Sequence, residues 1–260
     1  MRSQYGGRHE LGQNFLRHKP TINTITTLIG QTRGAILEIG AGDGALTTHL
    51  AGLERDVHAI DIDEHRVHSL QRRLPGVTVS TGDALQAALD RPVIVGNLPF
   101  HLTTPILRRL LAANLWKYAI VLTQWEVARK RAGVGGRTMM TAQAAPWFDF
   151  HLHGRVPADG FTPKPSVDAG ILSIQRRESP LICTADRRRY QAFVHTVFTG
   201  RGRGIAQILA TAFPHRSASR WRRILLSADV APSALPRSLT PEQWQQLWMA
   251  SHLENDRRAK

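Results

Sequence analysis

The stretch from Val93 to Phe100 combines a short apolar run with an amide, a proline and an aromatic ring. The run Val93–Val95 predicts a buried strand, and Pro99 cannot continue the hydrogen-bond ladder of a sheet. We therefore expect unpaired carbonyl groups beside Pro99 that face a cleft. Together with the Asn97 amide, they suit the exocyclic amine of a planar base, whose face Phe100 would cover. Asn-x-Pro is also ordinary turn chemistry, and Phe100 could be a core residue.

A glycine-rich loop follows another predicted strand. The run Ala35–Ile39 leads directly into Gly40-Ala41-Gly42-Asp43-Gly44-Ala45, and leucines at helical spacing come next. Glycines let the backbone approach a ligand, and the helix N-terminus supplies hydrogen-bond donors. Gly40-x-Gly42-x-Gly44 suits S-adenosylmethionine, but Gly40-x-Gly42-x-x-Ala45 also satisfies the dinucleotide fingerprint. The loop alone leaves both cofactors open.

Acidic residues follow the next two predicted strands. Asp61, in the run Val57–Asp63, is placed to accept the ribose hydroxyls of a nucleotide-like ligand, whereas Asp63 is placed as a helix N-cap. Asp83 follows the predicted strand Val77–Val79 and could accept from an adenine amine or cap a helix. Both aspartates fall at the carboxyl ends of predicted strands, where parallel sheets bind ligands.

Two further segments carry polar and aromatic side chains. Gln13-Asn14-Phe15-Leu16 precedes a predicted helix and could be a packing arm or could close over a ligand. The segment Phe161–Val167 contains Lys164 between two prolines, and predicts a stiff loop with one exposed aromatic residue, Phe161. The segment His9–Gln13 is not a zinc-binding HExxH helix, because glutamine replaces the second histidine, and we expect no metal.

The repeated alternation of strands and helices predicts an α/β fold with a doubly wound, mostly parallel sheet. Near residues 176–180 the pattern changes to apolar stripes at helical spacing, which predict a small all-α domain. We therefore expect a catalytic domain over residues 1–178, including an N-terminal arm over 1–20. A helical RNA-binding domain with a basic C-terminal tail would occupy 179–260, where arginines on polar faces and loops favour a surface facing phosphate.

The composition indicates a strongly basic globular protein. Its 260 residues include 34 Lys and Arg against 20 Asp and Glu, which gives a net charge of +14. This charge favours nucleic acid over membrane as the partner, and no apolar run reaches membrane-spanning length. Cys183 is the single cysteine, and the N-terminal residues lack the apolar core of a secretory signal. We expect a cytoplasmic monomer that needs no protein partner.

The Asn97–Phe100 segment favours one of the two cofactors. A nicotinamide enzyme has no use for an amine-accepting cluster beside an aromatic ring. Adenine N6 is a weak nucleophile, because its lone pair is delocalised into the ring. Acceptors on its hydrogens can turn the lone pair toward a sulfonium methyl group, and this positioning accelerates transfer without an obligatory base. The residues therefore predict an S-adenosylmethionine-dependent methyltransferase acting on an adenine amine.

Eight segments of the chain together carry a family resemblance. They are Gln13-Asn14-Phe15-Leu16, Glu38 to Gly44, Asp61, Asp83, Asn97-Leu98-Pro99-Phe100, Gln124 to Arg131, Phe161 to Pro165, and Phe198 to Gly202. With these motifs the chain resembles the rRNA adenine N6-dimethyltransferases, most closely the Erm family of 23S rRNA methyltransferases of the actinobacterial type. The match extends over nearly the whole chain.

The resemblance implies a Rossmann-like class I methyltransferase domain followed by a helical domain. It implies transfer of one or two methyl groups to N6 of an adenine in the peptidyl-transferase region of 23S rRNA. In the family, this modification confers resistance to macrolides, lincosamides and streptogramin B. Phe100 would stack on the flipped base and Phe161 would cover its other face. Many relatives carry tyrosine at position 100, so phenylalanine here keeps stacking but lacks a hydroxyl.

The candidate residues form three groups. The expected cofactor contacts are Gln13, Asn14, Leu16, Gly40, Gly42, Asp61, Asp83 and Asn97. The expected contacts to the target base are Asn97, Leu98, Pro99, Phe100 and Phe161. The expected RNA contacts are Arg129, Lys130, Arg131, Lys164, Arg201 and Arg203.

Three alternatives stay open at this point. The sister group that methylates small-subunit rRNA shares every core motif. A ribosome-assembly or RNA-binding module could keep the fold without activity, although the intact loop and acids argue against it. A nicotinamide dehydrogenase is the most distant alternative.

Overall fold

A computed structural model of the chain describes residues 13–252. Most of the expected N-terminal arm and the basic C-terminal tail, residues 1–12 and 253–260, lie outside the described residues. One compact unit ends at Arg129 and resumes over Phe150–Arg176, and the other comprises Lys130–Asp149 and the residues from Arg177 onward. None of the helices within residues 13–252 combines the length and the apolar character needed to cross a membrane.

Nine strands are present in the described chain. They are β1 (Phe15–Leu16), β2 (Ile36–Ile39), β3 (Val57–Asp61), β4 (Thr78–Thr81), β5 (Val93–Asn97), β6 (Tyr118–Gln124), β7 (Phe148–Val156), β8 (Phe161–Thr162) and β9 (Ala169–Arg176). Seven of them form one sheet in the order β4-β3-β2-β5-β6-β9-β7. Neighbours from β4 to β6 are parallel, and β9 runs antiparallel to β6. The predicted mostly parallel sheet is confirmed.

The strand order reverses between β2 and β5. From β2 the chain proceeds outward through β3 and β4, and then returns to place β5 on the other side of β2. Ile39 lies opposite Gly96 in this pair, so the residues that follow both strands meet at the same edge. A side chain on Gly96 would place its Cβ 2.4 Å from the Ile39 carbonyl oxygen. Glycine at position 96 therefore permits the close approach of the two strands at this switch point, where open parallel sheets bind ligands.

The helices of the sheet unit lie between its strands. They are α1 (Lys19–Gly30), α2 (Thr47–Ala51), α3 (Glu64–Arg73) and α4 (Thr103–Ala112), and α5 (Trp125–Arg131) follows β6. Every residue of β2 is buried, as expected for a parallel strand with both faces covered. Asp63 caps α3 by accepting from the amides of His65 and Arg66, as the sequence predicted.

The helical unit contains α6 (Met139–Ala144), α7 (Arg187–Thr199), α8 (Ile205–Ala212), α9 (Ala218–Ser227) and α10 (Pro241–His252). Its core is aromatic: the ring of Phe193 lies 6.1 Å from that of Trp244 and 5.7 Å from that of Trp248. Thr240 and Gln243 form a capping box at the start of α10, with reciprocal bonds of 2.9 and 3.2 Å.

The division between the units differs from the expected boundary after residue 178. Residues 130–149 belong to the helical unit. Tyr190 of α7 donates its hydroxyl to the Ala142 carbonyl at 2.9 Å, and its ring lies 5.5 Å from that of Trp147. The sequence pattern placed this segment in the first domain because it precedes β7 in the chain. The contacts that place it in the helical unit join residues some 45 positions apart, which a local pattern does not reveal.

Candidate active site

A cleft opens at the carboxyl edge of the sheet, at the switch point between β2 and β5. Its lining comes from the segment around β1, the end of β2 with the glycine loop, the end of β3 and the end of β5. The lining residues are Gln13, Asn14, Phe15, Leu16, Glu38, Gly40, Ala41, Gly42, Asp43, Ala45, Leu46, Asp61, Asn97, Leu98, Pro99 and Phe100. The structure thus brings together all of the expected cofactor and base contacts except Asp83 and Phe161.

Asp61 organises the glycine loop. Its carboxylate accepts the amide of Gly42 at 2.7 Å through one oxygen and the amide of Asp63 at 2.9 Å through the other. The residue is only 3% exposed, and burial raises the pKa of its carboxyl group, while these two amides and Arg66 oppose the shift. Each oxygen keeps a second lone pair for a ligand hydroxyl.

The segment around β1 lies across the glycine loop. Gly42 has φ +54°, and a Cβ at that position would lie 3.0 Å from the Phe15 ring. The Arg66 guanidinium carbon lies 3.9 Å from the centre of the same ring, and Arg66 also pairs with Asp43 of the loop. Arg17 reaches Asp43 at 2.7 Å. Glycine at 42 therefore makes room for the Phe15 ring, a contact that the sequence alone did not reveal.

Asn97 is held in one orientation. Its side-chain amide donates to the Asn14 carbonyl oxygen at 2.7 Å. This bond uses an N–H of the amide group, so the side-chain oxygen is the atom available to accept from a ligand. The bond to the Asn14 backbone therefore fixes the orientation of the Asn97 side-chain oxygen.

The carbonyls of the Asn97 segment differ from the expectation. The Pro99 carbonyl accepts from the Leu102 amide at 2.9 Å, so the prediction that it is unpaired is wrong. The chain turns into a short 3₁₀ helix at Phe100–Leu102, which brings the Leu102 amide back to Pro99. Leu98 donates its amide to Leu122 of β6 at 3.0 Å. Phe100 is half-buried, lining the cleft while packing against the core.

Glu38 is a site residue that the sequence reasoning missed. It is 1% exposed, lines the cleft, and its Oε2 atom has no hydrogen-bond partner among the described residues. Burial, with a smaller contribution from the charge of Asp61, raises its pKa to about 8, although Thr47 partly opposes the shift. The signal was present in the sequence, because a charged residue inside the apolar strand Ile36–Ile39 requires an explanation.

Two candidate residues are absent from the cleft lining. Asp83 follows β4 and forms a turn, its carboxylate accepting the Leu85 amide at 2.7 Å. Its alternative interpretation as a cap is wrong, since no helix of the described chain begins there. The prediction that Phe161 is exposed is also wrong, because it is 3% exposed. Phe161 pairs with Leu16 where β8 meets β1, so its ring belongs to the core that supports the arm.

The six candidate RNA contacts have different surroundings. Arg129 forms a double hydrogen bond with Glu126, both distances being 2.7 Å. Arg131 donates to the Thr138 hydroxyl at 2.5 Å. Lys130, Lys164, Arg201 and Arg203 are exposed.

At the switch point, one parallel strand ends in a glycine loop and its neighbour ends in an oriented amide. This is the arrangement of a Rossmann-like class I methyltransferase. The family model described as "Ribosomal RNA adenine dimethylase" matches residues 5–246. The chain belongs to this family, whose members are methyltransferases of the S-adenosylmethionine-dependent class.

Individual relatives agree with this membership. The chain is 47% identical over 250 residues to the mycinamicin-resistance protein MyrB of Micromonospora griseorubida, covering 94% of this chain and 78% of that protein. It is 52% identical over 212 residues to an rRNA adenine N-6-methyltransferase of Corynebacterium diphtheriae, covering 80% and 84%. The crystal structure of the 23S rRNA methyltransferase ErmE matches with a TM-score of 0.82 at 32% identity, covering 91% of this chain and 99% of ErmE. The predicted fold class and the resemblance to the Erm enzymes are confirmed.

Proposed function

We propose that this protein transfers a methyl group from S-adenosylmethionine to N6 of an adenine in the peptidyl-transferase region of 23S rRNA. The observation that carries the proposal is the orientation of Asn97. Its amide N–H is bound to Asn14, and its side-chain oxygen is left to accept from an amine at the switch point.

The residues of the cleft fit this cofactor. Glu38 holds a buried oxygen without a partner among the described residues, which a cationic amino-acid end of a ligand would satisfy. Asp61 has spare lone pairs for ribose hydroxyls, and Gly42 keeps the backbone free of side-chain bulk at this loop. Asp83 lies two residues beyond Thr81, which is opposite Asp61 in the sheet, and stays the proposed contact to the cofactor adenine. When bound, S-adenosylmethionine supplies the activated methyl group.

The chain's own residues position the target amine. The Asn97 side-chain oxygen accepts one hydrogen of the amine, and the Leu98 carbonyl is the backbone acceptor next to it. Both bonds draw the hydrogens to one side and leave the lone pair of N6 on the other. Phe100 stacks on the base and holds its plane. The amine proton that leaves after transfer can pass to water, so no side-chain base is required.

Charge and similarity support RNA as the substrate. A net charge of +14 fits a polyanionic partner. ErmE, with which this chain shares its fold and 32% of its residues, is described as a 23S rRNA methyltransferase, and MyrB as a mycinamicin-resistance protein. We extend both descriptions to this chain, and infer that it acts in the cytoplasm and confers resistance to macrolides, lincosamides and streptogramin B.

The alternatives are methylation of small-subunit rRNA and RNA binding without catalysis. Radiolabelled methyl transfer to purified 23S and 16S rRNA, followed by primer extension across both, separates all three. The proposal predicts label and one modified adenine in 23S rRNA. Label in 16S rRNA would favour the sister group, and RNA binding without label would favour the assembly module.

A further inference from the structure

A second recess opens at the carboxyl edge of the sheet, next to the active-site cleft. Its volume of about 510 Å³ falls within the range of about 300–1,000 Å³ that is usual for small-ligand sites. The recess is lined by Gln124–Glu126, Arg155 and Ser166–Asp168. None of these residues lines the active-site cleft.

The recess lies close to the residue that orients the target amine. Asn97 is opposite Leu122 in the β5–β6 register, and Gln124 follows two residues later. Neighbouring strands are about 4.8 Å apart, and two residues extend about 7 Å along a strand. The wall of the recess therefore begins roughly 8 Å from Asn97.

Trp125 gives the recess an aromatic wall. The indole is half-buried and lies against β9. A side chain at Gly170 would place its Cβ 3.2 Å from Trp125 Cε3 and 2.7 Å from the Ala128 Cβ, so glycine at 170 makes room for the ring. Val167, 44% exposed, adds apolar surface to the same recess. Aromatic walls of this kind bind single-stranded nucleic acids by stacking.

Basic groups stand beside the indole. The Arg155 guanidinium carbon lies 5.5 Å from the centre of the Trp125 ring. Arg155 Nε donates to Asp168 at 2.6 Å, and this bond fixes the guanidinium. The guanidinium has further N–H donors besides Nε for a ligand. Lys164 is exposed and close enough to contribute to the lowered pKa of Asp168, whose main causes are the bonds from Ala158 and Arg155.

The two acids of the recess do not form an unpaired anionic wall. Asp168 accepts from Arg155 with one oxygen and from the Ala158 amide with the other, at 2.8 Å. Both oxygens of Glu126 accept from Arg129. The site therefore offers an aromatic ring, an anchored guanidinium and a second cation, which together suit one nucleotide with its phosphate.

We propose that this recess binds a nucleotide of single-stranded RNA next to the target adenine, an inference that rests on the proposed function. The base stacks on Trp125, and the phosphate contacts Arg155 and Lys164. The recess thus acts as a specificity site, since it requires unpaired RNA beside the methylated position.

The test uses the full-length protein and an RNA hairpin that carries the target adenine in its loop. Copies of this hairpin lack one base at a time at the positions flanking the adenine. At one flanking position, we expect removal of the base to lower the affinity of the hairpin for wild type roughly tenfold. Trp125→Ala should lower the affinity of the protein for the intact hairpin by the same factor. The two changes combined should cost no more than either alone, because they remove the same stacking interaction. Trp125→Phe should retain most of the affinity, and the affinity for S-adenosylmethionine should not change.

A charge variant tests the recess independently of Trp125. Arg155→Gln should lower the slope of log affinity against log salt by about 0.7, the value for one phosphate contact on single-stranded nucleic acid. Arg33→Gln is the matched control, because Arg33 is exposed near the start of β2, at the opposite edge of the sheet, and should leave the slope unchanged.

Additive losses at every flanking position, or an unchanged salt slope for Arg155→Gln, would overturn the proposal. If wild type fails to methylate the hairpin or 23S rRNA, the proposed function fails, whereas binding of the same hairpin still reports on the recess. If Trp125→Ala does not fold, the salt slope of Arg155→Gln decides.

Discussion

Within the described residues, the sheet unit buries carboxyl groups and the helical unit does not. At the end of β2 and β3, the sheet unit buries two carboxyl groups, Glu38 and Asp61, and leaves one oxygen of Glu38 without a partner among the described residues. The helical unit buries Tyr190, Trp221 and Trp244 and keeps most of its arginines at the surface. Buried carboxyl groups cost stability unless they are paired, while buried aromatic rings provide it. The comparison indicates that the cleft is shaped for a ligand at the expense of stability.

The largest effect is expected in the helical core. Trp244 is fully buried, and its ring lies 5.7 Å from that of Phe198 and 6.1 Å from that of Phe193. Trp244→Ala should lower the free energy of unfolding by about 3–5 kcal/mol, measured by urea denaturation. The Trp244 indole N–H has no partner among the described residues. Trp244→Phe should therefore cost much less, and equal costs for both variants would contradict the aromatic-packing account.

Asn97→Ala should have the next largest effect, and on catalysis rather than stability. Loss of the oriented acceptor should lower the rate of methyl transfer about 100-fold or more, as removal of a preorganised polar group does in other active sites. Calorimetry should give a much smaller loss of affinity for S-adenosylmethionine, because Asn97 is only one of several expected cofactor contacts. Asn114→Ala, at an exposed residue before β6, is the control. A rate for Asn97→Ala equal to that of this control would remove Asn97 from the mechanism.

Glu38→Gln should stabilise the ligand-free protein. The pKa of Glu38 is raised from 4.5 to about 8 by burial, so between these values the folded state binds more protons than the unfolded state. This group therefore makes stability fall as pH rises from about 4.5 to 8. The variant lacks this loss, and its unfolding free energy at pH 8 should exceed that of wild type by roughly 1–3 kcal/mol.

The same substitution should weaken binding of S-adenosylmethionine, since it removes the negative charge proposed to face the cationic end of the cofactor. Thermal unfolding at several pH values and cofactor titration measure the two effects. Glu178→Gln, at an exposed residue, should behave like wild type. A Glu38→Gln protein that is less stable than wild type at pH 8 would contradict the comparison between the two units.

The smallest effect is expected at the surface of the helical unit. Arg201 and Arg203 are exposed between α7 and α8. Replacing both with glutamine should reduce affinity for 23S rRNA a few-fold and lower the salt slope by roughly 0.7–0.9 for each phosphate that the protein no longer neutralises. Filter binding over a range of salt concentrations measures this. An unchanged slope would show that these arginines do not contact RNA.

Local sequence patterns were sufficient for the elements of both units. Alternating strands and helices predicted the sheet, and Asn97, Gly40 and Asp61 were placed at strand ends because parallel strands end at one edge. The capping box of Thr240 and Gln243 was predictable for a similar reason, as its partners are three residues apart.

Contacts between distant residues were not accessible to these patterns. The pairing of Leu16 with Phe161, which buries a ring expected to be exposed, joins segments 145 residues apart in the sequence. The bond from Asn97 to the Asn14 carbonyl spans 83 residues. Glu38 was overlooked for a different reason: its strand is otherwise apolar, and its isolated charge was not weighed.

The most direct test is to locate the methyl group. Purified protein, 23S rRNA and S-adenosylmethionine with a labelled methyl group are incubated together, and the RNA is digested and analysed by mass spectrometry. We predict N6-methylated adenine in a single fragment from the peptidyl-transferase region, formed about 100-fold more slowly, or slower still, with Asn97→Ala. Label that is absent from 23S rRNA, or found on an atom other than adenine N6, would contradict the account.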